Sequence, residues 1–151
     1  MTQAMLPFDA AGRQVDEVTI YCDGGARGNP GPAAIGAVVL DTSTEPPTTL
    51  ASVSDYIGVA TNNVAEYRAL LAGLDAAAPL RAHTVHVRAD SLLMIKQLRG
   101  EYRVKHPNLA PLYHEARALL AAYEVVDLQH VPRAQNVEAD ALVNAALDAR
   151  T

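Results

Sequence analysis

VTIYCDGGARGNPGPAAIGAVVLD, residues 18–41, decides how the chain begins to fold. Residues 18–23 form a short, β-rich apolar run that stops at paired glycines, and residues 33–41 form another that ends in the turn-like TSTEPP. A third extended stretch, TTLASVSDYIGVA at 48–60, follows at once. Three strands joined by short connections read as an antiparallel meander.

Beyond Asn62 the period changes. VAEYRALLAGLDAAA (64–78) carries apolar residues at helical spacing and is closed by Pro79. HTVHVRA (83–89) reads as a strand that runs through Asp90 into a helix, SLLMIKQL (91–98). A helix beginning near Asn108, a strand at 125–131 (VVDLQHV) and a last helix after Asn136 (VEADALVNAALDA) complete the order. A meander followed by alternating helices and strands predicts an α/β domain: a mixed sheet with helices packed on its faces.

At 151 residues, half of them hydrophobic, the chain has the size of one domain with one sizeable core. The opening MTQAMLPFDAAGRQV lacks a basic n-region and is interrupted by Pro7 and Asp9, so it does not read as a signal peptide. No apolar run reaches membrane-spanning length. Residues 1–15 are therefore expected to be an extension and 16–151 a single domain, monomeric by default. A lone cysteine, Cys22, lies inside an apolar run and reads as a buried thiol; such cysteine usage suits a reducing cytoplasm.

A net charge of −5 weighs against a broadly basic surface of the kind that releases counterions from nucleic acid. The charge is uneven, however. KQLRGEYRVKH (96–106) holds Lys96, Arg99, Arg103 and Lys105 against the single acid Glu101. These bases suit either phosphate contacts or the C-terminal dipole of a solvated helix end.

Four acids stand at junctions of the predicted elements, and each has an ordinary explanation. Asp23 precedes a glycine-proline turn and can shape it. Glu66, three residues after Asn63, fits a capping box. Asp90 fits an N-cap, and Asp140 fits the first turn of the last helix. Their conjunction is more informative. In an open sheet with helical crossovers, sites gather at the carboxyl ends of parallel strands and the adjoining helix starts. Four carboxylates meeting there repel one another unless a cation intervenes. Oxygen-only ligands favour hard ions, Mg2+ above all, with Mn2+ as substitute, and two such ions can clamp an in-line phosphoryl displacement.

In order, DGGARGNPGP (23–32), TNNVAEY (61–67), ADS (89–91) and HVPRAQNVEAD (130–140) resemble the four signature segments of the type 1 ribonuclease H family. The resemblance runs from about Val18 to Leu147. It implies a five-stranded mixed sheet, its first three strands antiparallel, flanked by about four helices. It also implies a metal site on Asp23, Glu66, Asp90 and Asp140 holding two Mg2+ ions. The activity implied is endonucleolytic hydrolysis of the RNA strand of an RNA/DNA hybrid, leaving 5′-phosphate and 3′-hydroxyl ends. Gly24, Gly25 and Gly28 would admit a sugar-phosphate backbone, with Arg27 beside them as a further contact. Asn29, Asn62 and Asn63 match positions at which the family reads the minor groove, although a turn for Asn29 and helix caps for Asn62 and Asn63 explain them equally well.

A fifth group is open between His130, ten residues before Asp140, and Arg133 of the VPR pattern, a charge partner for the scissile phosphate; Arg133 is favoured. The other histidines show no metal-ligand spacing. The chain departs from some members in having no tryptophan and no long basic insertion after the Asp90 helix. Weak, salt-dependent hybrid binding follows, with Tyr102 a modest stacking surface. The alternatives are an enzyme of this fold acting on other RNA duplexes or junctions, a strand-transfer nuclease, a nucleotide phosphatase, or a non-catalytic hybrid-binding module. A binder would gain by losing the repulsion among four acids.

Overall fold

A computed structural model describes residues 14–150. Strand β1 (Glu17–Ala26) is central, flanked by β2 (Gly31–Asp41) and β4 (Thr84–Ala89), with β3 (Thr48–Ala60) and β5 (Val125–His130) at the edges. The β1/β2 and β2/β3 pairs are antiparallel, and β1/β4 and β4/β5 are parallel. Four helices complete the domain: α1 (Asn62–Ala77), α2 (Leu92–Leu98), α3 (Ala110–Leu120) and α4 (Val137–Ala149). This is the mixed five-stranded sheet that the sequence leads one to expect.

Strand alternation divides the core. Val18, Ile20 and Cys22 of β1, Val85, Val87 and Ala89 of β4, and Ile35, Ala37 and Val39 of β2 meet Leu70 and Leu74 of α1, Leu98 of α2 and Leu120 of α3. On the opposite face a smaller cluster joins Ala34 to Val143, Ala146 and Leu147 of α4. Val15 belongs to the larger core and is 2% exposed. Most of the expected N-terminal extension, residues 1–13, lies outside the described residues. No helix among the described residues is long and apolar enough to cross a membrane.

Local details depart from the sequence reading in three places. First, β1 does not stop at Asp23: Gly24, Gly25 and Ala26 continue the strand, paired with Ile35, Ala34 and Ala33 of β2. The low strand propensity of glycine is overridden by this pairing, and Gly24 has a packing reason as well. A Cβ there would lie 2.2 Å from the carbonyl of Ala65, so only glycine lets the backbone of α1 rest on β1. Second, the cap of α1 is Thr61, whose Oγ1 accepts a hydrogen bond from the Val64 amide. Asn62 and Asn63 are thus the first helical residues, and Glu66 sits in the second turn, too far along for a capping box. Third, Ser91 caps α2 by accepting from the Met94 amide. Asp90 is thereby released from capping and stands between the end of β4 and the helix.

Candidate metal centre and nucleic-acid cleft

The parallel register ends with Cys22 opposite Ala89, so Asp23 and Asp90 are the next residue on each strand path. Helix α1 brings Glu66 to the same place because Gly24 allows close approach, and the Gly24 amide donates to Glu66 Oε2 at 3.3 Å. Carboxylate oxygens of Asp23, Glu66 and Asp90 all lie within 4.8 Å of one another. The fourth acid, Asp140 in the first turn of α4, lies close enough to Asp23 to raise its carboxyl and accepts from Asn144 Nδ2 at 3.3 Å. All four acids line one cleft of about 510 Å³.

The electrostatics of this cluster follow from burial without compensation. Asp23 is 5% exposed; burial, the Asp90 charge and the contact with Asp140 push its carboxyl up to about 7. Burial, then Asp23 and Asp90, push Glu66 up to about 9, against a smaller opposing pull from the Gly24 amide and Arg133. Burial and the same acids raise the thiol of Cys22, which is fully buried and suited to packing rather than nucleophilic attack. Asp90 Oδ1 is buried and lacks a hydrogen-bond partner. A cluster of hard oxygen donors, two of them driven toward protonation and one orphaned, fits a divalent cation of the Mg2+ or Mn2+ type.

Around the acids the expected contacts divide. Gly24, Gly25, Arg27, Asn62 and Arg133 line the cleft. Arg133 lies in a short 3-10 turn (Arg133–Gln135) with Nε 3.9 Å from Asp90 Oδ2, and its side chain is 82% exposed. His130, at the exposed end of β5, is not among the lining residues. Arg27 Nη2 contacts Asp148 Oδ1 at 2.8 Å. Asn62 Oδ1 accepts from the Ala26 amide at 2.9 Å, and Asn29 Oδ1 accepts from the Asn62 amide at 3.1 Å. These two asparagines therefore lock the β1–β2 turn onto the start of α1, whereas Asn63 is simply exposed beside them.

The basic run is not gathered at the acids. Lys96 lies 4.9 Å from the centre of the Tyr102 ring, and Arg99 donates through Nε to the Leu128 carbonyl at 3.0 Å, tying α2 to β5. Arg103 and Lys105 are exposed, and none of the four bases lines the cleft.

Sequence reasoning passed over three polar groups. Asn136, marked only as a helix boundary, is 1% exposed and donates through Nδ2 to the Cys22 carbonyl at 2.9 Å. Tyr67 donates to the buried Gln97 Oε1 at 2.6 Å, joining α1 to α2. His86 bridges Asp127 (2.8 Å) and Glu17 (3.2 Å), and Arg88 also reaches Asp127 at 2.8 Å. The last group had a visible signal, since His86 and Arg88 alternate on β4 and Asp127 and Gln129 alternate on β5.

A five-stranded mixed sheet with clustered acids where its parallel strands end defines an α/β domain with a site that could hold a metal ion. Residues 21–146 match the family described as Reverse transcriptase-like. The chain is 44% identical over 145 residues to Ribonuclease HI of Halobacterium salinarum, covering 96% of this chain and 69% of that protein. It is 50% identical over 133 residues to the Bifunctional protein Rv2228c of Mycobacterium tuberculosis, covering 88% of this chain but 36% of the relative. The solved N-terminal RNase H domain of that mycobacterial protein superposes with a TM-score of 0.83 at 49% identity, covering 87% of this chain and 99% of the domain. LC11-RNase H1, solved in complex with an RNA/DNA hybrid, gives 0.79 at 40% identity, covering 87% of this chain and 97% of that one. The chain belongs to the type 1 ribonuclease H family. It spans only about a third of the length of the mycobacterial relatives.

Proposed function

We propose that this domain is an endoribonuclease that hydrolyses the RNA strand of RNA/DNA hybrids, leaving 5′-phosphate and 3′-hydroxyl ends. The observation that carries the reading is the cluster of Asp23, Glu66 and Asp90 within 4.8 Å, with Asp90 Oδ1 orphaned in the protein alone. The relative solved with a hybrid supports the substrate class.

Asp23, Glu66, Asp90 and Asp140 are the residues to hold two Mg2+ ions, with Mn2+ as substitute. Bound there, the ions supply Lewis acidity and charge neutralisation at the scissile phosphate. Asp23 and Asp90, fixed by adjacent strand paths, set the spacing of the donors. Arg133, exposed beside Asp90, neutralises phosphate charge as the strand is cut. His130 is the less favoured auxiliary, too peripheral in this arrangement to meet the reacting phosphate directly. Gly24, Gly25, Arg27 and Asn62 shape the floor along which the RNA lies, and Asn29 holds Asn62 so that its neighbour Asn63 can present an amide to 2′-hydroxyls. Lys96, Arg99, Arg103 and Lys105, outside the cleft, serve as a flanking contact for the second strand. The enzyme acts as a cytoplasmic monomer in this reading.

Incubating a labelled hybrid with and without Mg2+ tests the proposal. Cutting is expected on the RNA strand alone and only with metal, and Asp23→Asn and Asp90→Asn each lose orders of magnitude in rate. Variants retaining wild-type rates would remove the assigned roles. Equal rates on hybrid and double-stranded RNA would shift the substrate to RNA duplexes in general. Metal-independent retention of uncut hybrid would leave a binding module.

A further inference from the structure

We propose that Asn136 is a positioning residue that sets the separation between the two halves of the acid site, an inference resting on the metal-dependent reading above. Its place in the fold is unusual. Strands β1 and β4 part company after the Cys22–Ala89 pair, because the chain turns at Asp90 to enter α2. The split is what creates room for Asp23 and Asp90, and it occurs in the buried interior. A carbonyl left without a partner at such a point is destabilising.

Asn136 closes the gap. It sits where an N-cap residue of α4 would, yet its side chain does not cap the helix; Nδ2 instead reaches the Cys22 carbonyl at 2.9 Å, across 114 residues of sequence. The same residue accepts the Asp140 amide with its backbone oxygen and donates its own amide to the Arg133 carbonyl. One residue therefore connects the strand that carries Asp23, the helix turn that carries Asp140 and the short turn that carries Arg133. Cys22 adjoins Asp23 directly, so any lengthening of this tie moves Asp23 relative to Asp140, which lines the same cleft. The burial of Asn136, 1% exposed, with its Oδ1 lacking a partner, marks an amide kept for its donor rather than for general polarity. Burying an amide half-satisfied is unfavourable, and an apolar residue would be the simpler filler of the space.

The tests are Asn136→Leu, which keeps the branched shape and removes the donor, and Asn136→Ala, which removes the donor and leaves a cavity. Mn2+ affinity is read by calorimetry without substrate, kcat and KM on the hybrid, and Tm by thermal melting. Lost outer-layer support costs metal sites roughly ten- to a hundredfold in affinity. Both variants are expected to bind Mn2+ about tenfold more weakly and to lose kcat while KM stays within twofold. Excess Mn2+ should recover part of the lost rate. A purely structural residue would lower Tm alone: Mn2+ affinity and kcat both within twofold of wild type, measured well below the variant's Tm, would overturn the proposal. Should Leu and Ala fail to fold, Asn136→Gln keeps an amide displaced by one methylene, and unchanged Mn2+ affinity there overturns it equally. A wild-type protein that binds Mn2+ in an Asn136-dependent way but leaves hybrids intact would sink the hydrolytic reading and spare this one.

Discussion

Asp23 and Asp127 lie on the same face of one sheet, two strands apart, and their surroundings drive them in opposite directions. Asp127 is met by His86, Arg88 and Gln129. The His86 hydrogen bond, aided by Arg88, outweighs partial burial and holds the carboxyl down at about 2. Asp23 is met by two further carboxylates and is pushed to about 7. A structural acid comes with its counter-charges built in; the cleft acids have only the exposed Arg133, 3.9 Å from Asp90. The crowding of like charges in the cleft is the clearest functional statement the fold makes, since nothing in the chain's own stability favours four acids meeting in a half-buried corner.

The strongest way to break that contrast is thermal. Above their unfolded values near 4, Asp23 and Glu66 bind protons more tightly in the folded state, so the stability they confer is fully present below about pH 4 and lost as pH rises through about 7 and about 9. Metal-free protein should therefore melt at progressively lower temperature between pH 5 and roughly pH 9. Mg2+ or Mn2+ at a hundredfold excess over Kd adds about 2.7 kcal/mol, or roughly 8 °C in Tm, and flattens the slope. A melting curve indifferent to both pH and metal would remove the claim of an uncompensated cluster.

A smaller effect sharpens the assignment of the auxiliary group. Arg133→Ala should lower kcat about tenfold, a loss of about 1.4 kcal/mol in transition-state stabilisation, while His130→Ala stays within twofold. The reverse ranking would return the role to the end of β5. The least effect belongs to the counterpart: Asp127→Asn should cost about 1 kcal/mol of stability and leave hybrid cleavage unchanged. Because Asp127 is depressed, its contribution is present above pH 4 and lost as pH falls toward 2, opposite in sign to the cleft.

Much of this architecture was readable in the chain because period and punctuation agree. The change from β-rich runs to Ala/Leu helical spacing after Asn62, and again after Asn136, marks the elements well. The acids could be read as a set because each stands next to an element junction. What was hidden depends on contacts distant in sequence. Glycines 24 and 25 look like the end of a strand, and only the antiparallel partner at Ala33–Ile35 carries β1 beyond them. Asn63 looks like a cap, but Thr61 wins the helix start. Asp90 likewise yields its capping role to Ser91 one residue later. Asn136 has the local look of a helix boundary; its purpose exists only against a carbonyl more than a hundred residues away. The basic run from Lys96 to Lys105 resembles a phosphate patch in one dimension, yet Arg99 is spent on a strand carbonyl and the others do not face the acids.

Across the sheet from the larger core, Gly36 is paired with Asp23, and a methyl group on it would lie 2.3 Å from the carbonyl oxygen of Ala139. The helix bearing Asp140 thus leans on bare backbone, one residue from its acid. The depth at which that last carboxylate hangs over its neighbours is dictated by an atom the chain does without, so a residue with no chemistry of its own governs how the four donors are levelled.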